Sequence, residues 1–322
     1  DAGEGCGRLT IMAEMVVSGT VSRPLRSTAW LHELTLGSPY RSAWRLGSYL
    51  VFAVAIASLQ VVVLALGARF AGVLPMIYHR VCCWLLDLHV EVRGNMSTAR
   101  PTLFVCNHTS YLDISVLGSL IRGSFVAKME VANWPFFGFL AKLQRTVFIE
   151  RQRRATTHRQ RDELLRRLDA GDNLILFPEG TSNDGNRTLP FRSALFGVAE
   201  RRVAGGKREP LPLTIQPVSL AYVRLNGMPI GRSLRPYFAW YGDMDLFSHL
   251  WRVAGLGRVI VVLEFHPPVT LAEFASRKGL SEHCQRMVAE GVAAAIVGRR
   301  EEARKTATEP SDATPTGAKG YT

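Results

Sequence analysis

A chain of 322 residues, 47% hydrophobic and 20% charged, has the make-up of a globular protein, and its length bounds it at about two domains. Its 39 Lys and Arg against 27 Asp and Glu leave a net charge of +12, which calls for an anionic partner: nucleic acid, anionic lipid or a phosphorylated substrate. Cys6, Cys82, Cys83, Cys106 and Cys284 include no CxxC pair and no zinc spacing with histidine, so they read as free thiols in a reducing compartment.

Residues 1–45 carry little periodic pattern and read as an irregular segment. Gly3, Gly5 and Gly7 have the look of a nucleotide loop, but no strand precedes them and no periodic helix follows. From Leu46 to Gly67 no acidic or basic side chain occurs, a run of about 22 residues, enough to cross a ~30 Å hydrocarbon core. Arg41 and Arg45 flank one end and Arg69 the other, so charge sets no orientation. Phe70 to Leu88 is apolar but holds Pro75, His79, Arg80 and Asp87, which suits a helix lying in the membrane interface. Residues 46–88 are thus expected to anchor the chain in a membrane.

The pattern changes at residue 89. Short β-rich runs (Thr102–Cys106, Ser124–Ala127, Arg145–Ile149, Asn173–Phe177, Thr214–Leu220, Val259–Phe265) alternate with helical stretches (Ile114–Ile121, Ala155–Leu168, Arg192–Arg201). The alternation predicts an α/β fold, a mostly parallel central sheet flanked by helices, over residues 89–300. A last helix is expected near Leu280–Val297. Residues 301–322, rich in Glu, Thr, Pro, Ala and Lys, read as a disordered tail.

Polar clusters follow two of the apolar runs, at strand ends, where open α/β sheets collect functional groups. TLFVC leads into Asn107-His108-Thr109-Ser110-Tyr111-Leu112-Asp113. A carboxylate beside an imidazole fixes its tautomer and stabilises the imidazolium that forms on proton uptake. The same residues also suit a helix cap, with Asp113 favoured by the helix dipole. The second cluster, Phe177-Pro178-Glu179-Gly180-Thr181, is about 70 residues on, as a shared site in a parallel sheet requires, though alone it is an ordinary strand exit.

These motifs resemble those of the glycerolipid acyltransferases, the lysophosphatidic acid acyltransferase family. NHTSYLD is similar to the family's His-x4-Asp signature and FPEGT to its second block. Val126-Ala127-Lys128, Val147 to Arg151 and Ile215-Gln216-Pro217-Val218 resemble blocks in the same order, over roughly Val90 to Pro268. The resemblance implies an O-acyltransferase that moves a fatty acyl group from acyl-CoA or acyl carrier protein to the hydroxyl of a lysolipid. It implies His108 as base, Asp113 as its orienting partner, and Glu179, Gly180 and Thr181 shaping the acceptor site. Lys128 and Arg151 would face an anionic head group. No cofactor and no metal is called for, and the absence of a G-x-S-x-G elbow weighs against an α/β-hydrolase.

One position departs from the family pattern. Ser182 stands where many members carry an Arg that helps to bind glycerol phosphate; Arg187 or Arg192 is then the candidate substitute. The expected acceptor is 1-acylglycerol-3-phosphate, giving phosphatidic acid. The alternative is lyso-ornithine lipid, because EGTSNDGN and WYGDMD resemble the branch that acylates that phosphate-free amino-acid lipid. An inactive lipid-binding relative is the alternative of another class. Arg153, Arg154, Arg159, Arg161, Arg166 and Arg167 are expected to form a basic face toward anionic lipid or a carrier protein. Nucleic acid is set aside, since that run lacks interleaved aromatics. The expected location is the inner (cytoplasmic) membrane, with the catalytic region facing the cytosol.

Overall fold

The computed structural model describes residues 36–67, 72–149, 154–200 and 213–298, with 154–161 as backbone only. Arg151, Arg153, the glycines at 3, 5 and 7, and the 301–322 tail lie outside the described residues, as do the side chains of Arg154, Arg159 and Arg161. In chain order the elements are α1 (Pro39–Ala65), α2 (Val73–Leu85), β1 (Leu88–Arg93), β2 (Thr102–Cys106), α3 (Leu112–Leu120), β3 (Ser124–Lys128), α4 (Phe137–Leu143), β4 (Val147–Ile149), α5 (Arg154–Asp169), β5 (Leu174–Leu176), β6 (Thr214–Leu225), β7 (Met228–Pro229), α6 (Leu246–Ala254), β8 (Val259–Phe265) and α7 (Arg277–Val297).

The apolar run lies in α1, which starts earlier than the uncharged stretch does. Ser38 caps it, accepting from the Arg41 N–H, and Pro39 opens the first turn, where its missing N–H costs nothing. Arg41 and Arg45 fit inside the helix because α6 gives them acceptors. Arg45 Nη1 donates to the carbonyls of Ala254 (3.2 Å) and Leu256 (2.7 Å), and Arg41 Nη1 to that of Gly255 (3.4 Å). These cations sit on a helix C-terminus, where the dipole favours them. At 1.5 Å per residue α1 is about 40 Å long. Only 17% of its most apolar stretch is buried, so it is not a core helix, and among the described residues it alone has the length and composition to cross a membrane. In α2, Pro75 falls in the first turn, so the helix continues past it. It buries His79, Cys82, Cys83 and Leu85 against the domain and leaves Trp84 exposed.

The sheet order is β1-β8-β6-β2-β5-β3-β4, with β7 beside β6. Every ladder is parallel except those of β6 with β8 and with β7. The mostly parallel α/β expectation is met, with β8 and β1 as a reversed edge. All five residues of β2 are buried, as a central strand covered on both faces requires. The alternating LHVEVR of β1 and the helices α4 and α6 are additions to the sequence reading. Arg192–Arg201, expected as a helix, forms only a 3₁₀ stretch, Ser193–Ala199. Cys82, Cys83, Cys106 and Cys284 are buried free thiols, as expected.

Register decides where the chemistry sits. β2 and β5 are adjacent and parallel, and Val105 pairs with Leu176. Three residues beyond that pair, the two chains carry His108 and Glu179. Two motifs 71 residues apart therefore share one end of the sheet.

Candidate active site

His108 leaves the buried β2 and is gripped from both sides. Its Nδ1 lies 2.9 Å from Asp113 Oδ2. Its ring stacks on Phe177 at 4.1 Å between centroids and 18° between planes. With Nδ1–H donating to Asp113 Oδ2, Nε2 carries the lone pair. Among the described residues Nε2 has no partner, and the side chain keeps 22% of its surface accessible.

Asp113 is fully buried and surrounded by donors. Oδ2 also accepts from the N–H groups of Thr109 (2.6 Å) and Ser110 (2.9 Å), and Oδ1 accepts from the Tyr222 hydroxyl (2.7 Å). One carboxylate thus ties the turn before α3 and holds the histidine; the N-cap of α3 is Tyr111, without a side-chain cap bond, so the helix-cap expectation is not met. Asn107 is neither a cap nor a site residue. Its amide bridges β2 to β6 through the carbonyl and N–H of Leu220, both at 2.9 Å.

Glu179 is buried behind the histidine. Its Oε1 accepts from the His108 N–H (3.4 Å) and its Oε2 from Asn183 Nδ2 (2.7 Å). Burial pushes this carboxyl up to about 8, against the Asn183, His108 and Leu189 donors that favour its charged form. Gly180 adopts φ +76°, a left-handed turn that a side chain resists, and so returns the chain over the strand end. The exposed Thr181 donates from its hydroxyl to the Ser182 carbonyl at 3.4 Å.

The loop after β5 docks on the segment after β7. Ser182 Oγ donates to the Trp240 carbonyl (2.5 Å), the Trp240 N–H to the Thr109 carbonyl (3.0 Å), and Arg235 Nη1 to Asn186 Oδ1 (2.7 Å). EGTSNDGN and WYGDMD, 50–60 residues apart, therefore meet beside His108. Arg187 and Arg192 are exposed, and the guanidinium held in this loop is that of Arg235. Lys128 ends β3 at the same end of the sheet, also exposed. Arg167, expected on an outer basic face, turns inward instead: it donates to Asp172 Oδ2 (2.6 Å), Ser124 Oγ (2.6 Å) and the Arg145 carbonyl (3.2 Å). Tyr222, Asn183, Phe177 and Arg235 are the site residues that motif reasoning missed.

An apolar cavity of about 180 Å³ reaches the start of α3, with Tyr111 and Leu112 in its wall. Tyr49 and Tyr78 of α1 and α2, Tyr111 and Phe125 near the site, Trp134 and Leu140 contribute to its walls. Phe125 stacks on Phe177, whose other neighbour is His108.

Fold and site define an enzyme of acyl transfer: a histidine–carboxylate pair at a parallel strand end, next to an apolar cavity walled in part by an exposed apolar helix. The chain belongs to the acyltransferase family. Residues 88–221 match the family model described as Acyltransferase. A lyso-ornithine lipid O-acyltransferase of Brucella abortus is 42% identical over 227 residues, 70% of this chain and 84% of that protein. A 1-acyl-sn-glycerol-3-phosphate acyltransferase of Neisseria gonorrhoeae is 30% identical over 205 residues, 63% of this chain and 74% of that protein. The crystal structure of the 1-acyl-sn-glycerophosphate acyltransferase PlsC from Thermotoga maritima superposes with a TM-score of 0.49 and 24% identity, covering 68% of this chain and 76% of that one. The protein is a membrane-associated acyltransferase of lysolipids.

Proposed function

We infer that the protein transfers a fatty acyl group from acyl-CoA or acyl carrier protein to the free hydroxyl of lyso-ornithine lipid. The observation that carries the choice of acceptor is Ser182. It occupies the position where many lysophosphatidate enzymes carry Arg, and its hydroxyl is spent on the Trp240 carbonyl at 2.5 Å. The 42% identity to a lyso-ornithine lipid O-acyltransferase, against 30% to the lysophosphatidate enzyme, supports the same acceptor. The 1-acylglycerol-3-phosphate acceptor expected first from the sequence stands as the second reading, favoured by the +12 charge.

In this mechanism His108 Nε2 takes the proton of the acceptor hydroxyl as its oxygen attacks the thioester carbonyl carbon. The C–S bond then breaks, sulfur leaves with the electron pair, and the proton on His108 passes to it. The products are an ester and a free thiol. Asp113 and Tyr222 hold the ring, and the 180 Å³ cavity takes an acyl chain out of water. Reaction takes place on the cytosolic side of the inner membrane, where acyl thioesters are available. The test is acyl transfer by membranes carrying the wild type or His108→Ala, with lyso-ornithine lipid and lysophosphatidate as acceptors. The wild type should have the higher kcat/KM on lyso-ornithine lipid, and His108→Ala should lose about 10²–10⁴-fold on it. Near-normal turnover by His108→Ala would remove the mechanism, and a preference for lysophosphatidate would return the acceptor to the second reading.

A further inference from the structure

The loop that replaces the family arginine builds a charged pair of its own. Asn186 stands between Asp184 and Arg235. Its Nδ2 donates to Asp184 Oδ2 (3.1 Å), its N–H donates to Asp184 Oδ1 (3.0 Å), and its Oδ1 accepts from Arg235 Nη1 (2.7 Å). The amide bridges the carboxylate and the guanidinium, and Asp184 also acts on Arg235 through space. Arg235 gives nothing further to the protein: its Nε is buried without a partner, and Nη2 makes no hydrogen bond among the described residues. Nη2 is thus the nitrogen left to donate to an outside acceptor, and a guanidinium's bond to a carboxylate is among the strong ones.

The pair is tied to the catalytic loop. Asn183 donates to Glu179 and to the His108 carbonyl, and accepts from the Gly185 N–H at 2.8 Å. Gly185 lies between Thr109 and Arg235. A Cβ built on it would come 3.1 Å from Thr109 Cγ2 and 3.9 Å from Arg235 Cβ. The residue after the histidine and the Cβ of Arg235 therefore face each other across the Gly185 backbone. Arg232 adds a second positive charge near Arg235, and Asp184 is near enough to Tyr241 to act on its phenol.

We propose that Arg235 and Asp184 read a zwitterionic head group, Arg235 binding its carboxylate through Nη2 and Asp184 its ammonium. N-acylated ornithine carries both charges at neutral pH. A lysophosphatidate carries only the negative one and would leave Asp184 facing an anion. The proposal rests on the acceptor reading above and assigns its specificity to two residues outside the family's shared motifs.

Four acceptors test it with the full-length protein: lyso-ornithine lipid, its carboxyl methyl ester, its N-acetylated form and lysophosphatidate. Arg235→Gln should raise KM for lyso-ornithine lipid by on the order of tenfold more than for the methyl ester, which has already lost the carboxylate. Asp184→Asn should do the same relative to the N-acetylated form. Thermal melting of each variant separates binding from misfolding, because a misfolded protein loses activity on all four acceptors alike. If the wild type works on lyso-ornithine lipid and neither variant discriminates against the modified acceptors, the head-group assignment is overturned while the acceptor reading stands. If the wild type prefers lysophosphatidate, the acceptor reading falls, and the assignment to Asp184 falls with it.

Discussion

Glu179→Gln tests the electrostatics of the site without touching the reacting atoms. Burial pushes the Glu179 carboxyl up to about 8 from an ordinary value of 4.5, so the fold holds its proton where the unfolded chain does not. The contribution of such an acid to stability is whole below the unfolded value and is lost as pH rises through the folded one. For these two values the linkage relation gives a loss of about 3 kcal/mol between about pH 6 and about pH 9. In a domain of this size that is about 5–10 °C of melting temperature. The glutamine cannot ionise, so its stability should stay flat over the same range. The assay is thermal unfolding in detergent micelles across the pH range for both proteins. Parallel curves would show that Glu179 is ionised throughout, and the account of its burial would be wrong.

Tyr222→Phe removes the donor to Asp113 Oδ1 and leaves a buried carboxylate oxygen unpaired, so it should cost about 1–3 kcal/mol and lower kcat more than it raises KM. Unchanged melting and kcat would mean that the hydroxyl does not hold the pair. Gly118→Ala would bring a Cβ to 2.3 Å from the His79 ring, which is buried and has little room to yield. It should destabilise by about 1–3 kcal/mol, and His79→Ala in the same chain should restore most of the loss; a fully additive pair would contradict the contact.

The residues at the strand ends were legible because the fold class alone says where functional groups gather, and β2 and β5 are short, apolar and followed at once by polar clusters. Tyr222 was not, since inside β6 an aromatic residue is indistinguishable from core until its hydroxyl has a partner. Arg235 lies about 50 residues beyond the second motif and belongs to no recognisable spacing; only the docking of two loops gives it a place. Arg167 shows the opposite error: an arginine in a basic run reads as surface until Asp172 and Ser124 turn out to receive it. The reversed β1–β8 edge was hidden for a related reason. Strand direction follows from connections and pairing, and the residues of β8 are as apolar as those of a parallel strand.

The anchor and the catalytic region also read as separable in sequence, because one is uncharged and the other alternates. The contacts argue for a shared purpose. Ser42, Arg41 and Arg45 of α1 bond the carbonyls that end α6, and α2 sets His79 over Gly118 of α3, the helix that begins with Asp113 in its first turn. Tyr49 and Tyr78, which join hydroxyls at 2.9 Å, stand in the cavity wall. The cavity is lined on one side by Leu46, Tyr49, Tyr78 and His79 of α1 and α2 and on another by Leu112, Ile114 and Ser115 of α3. The start of the apolar helix therefore builds part of the cavity wall, while most of its uncharged stretch stays exposed, as an apolar face in a membrane can be.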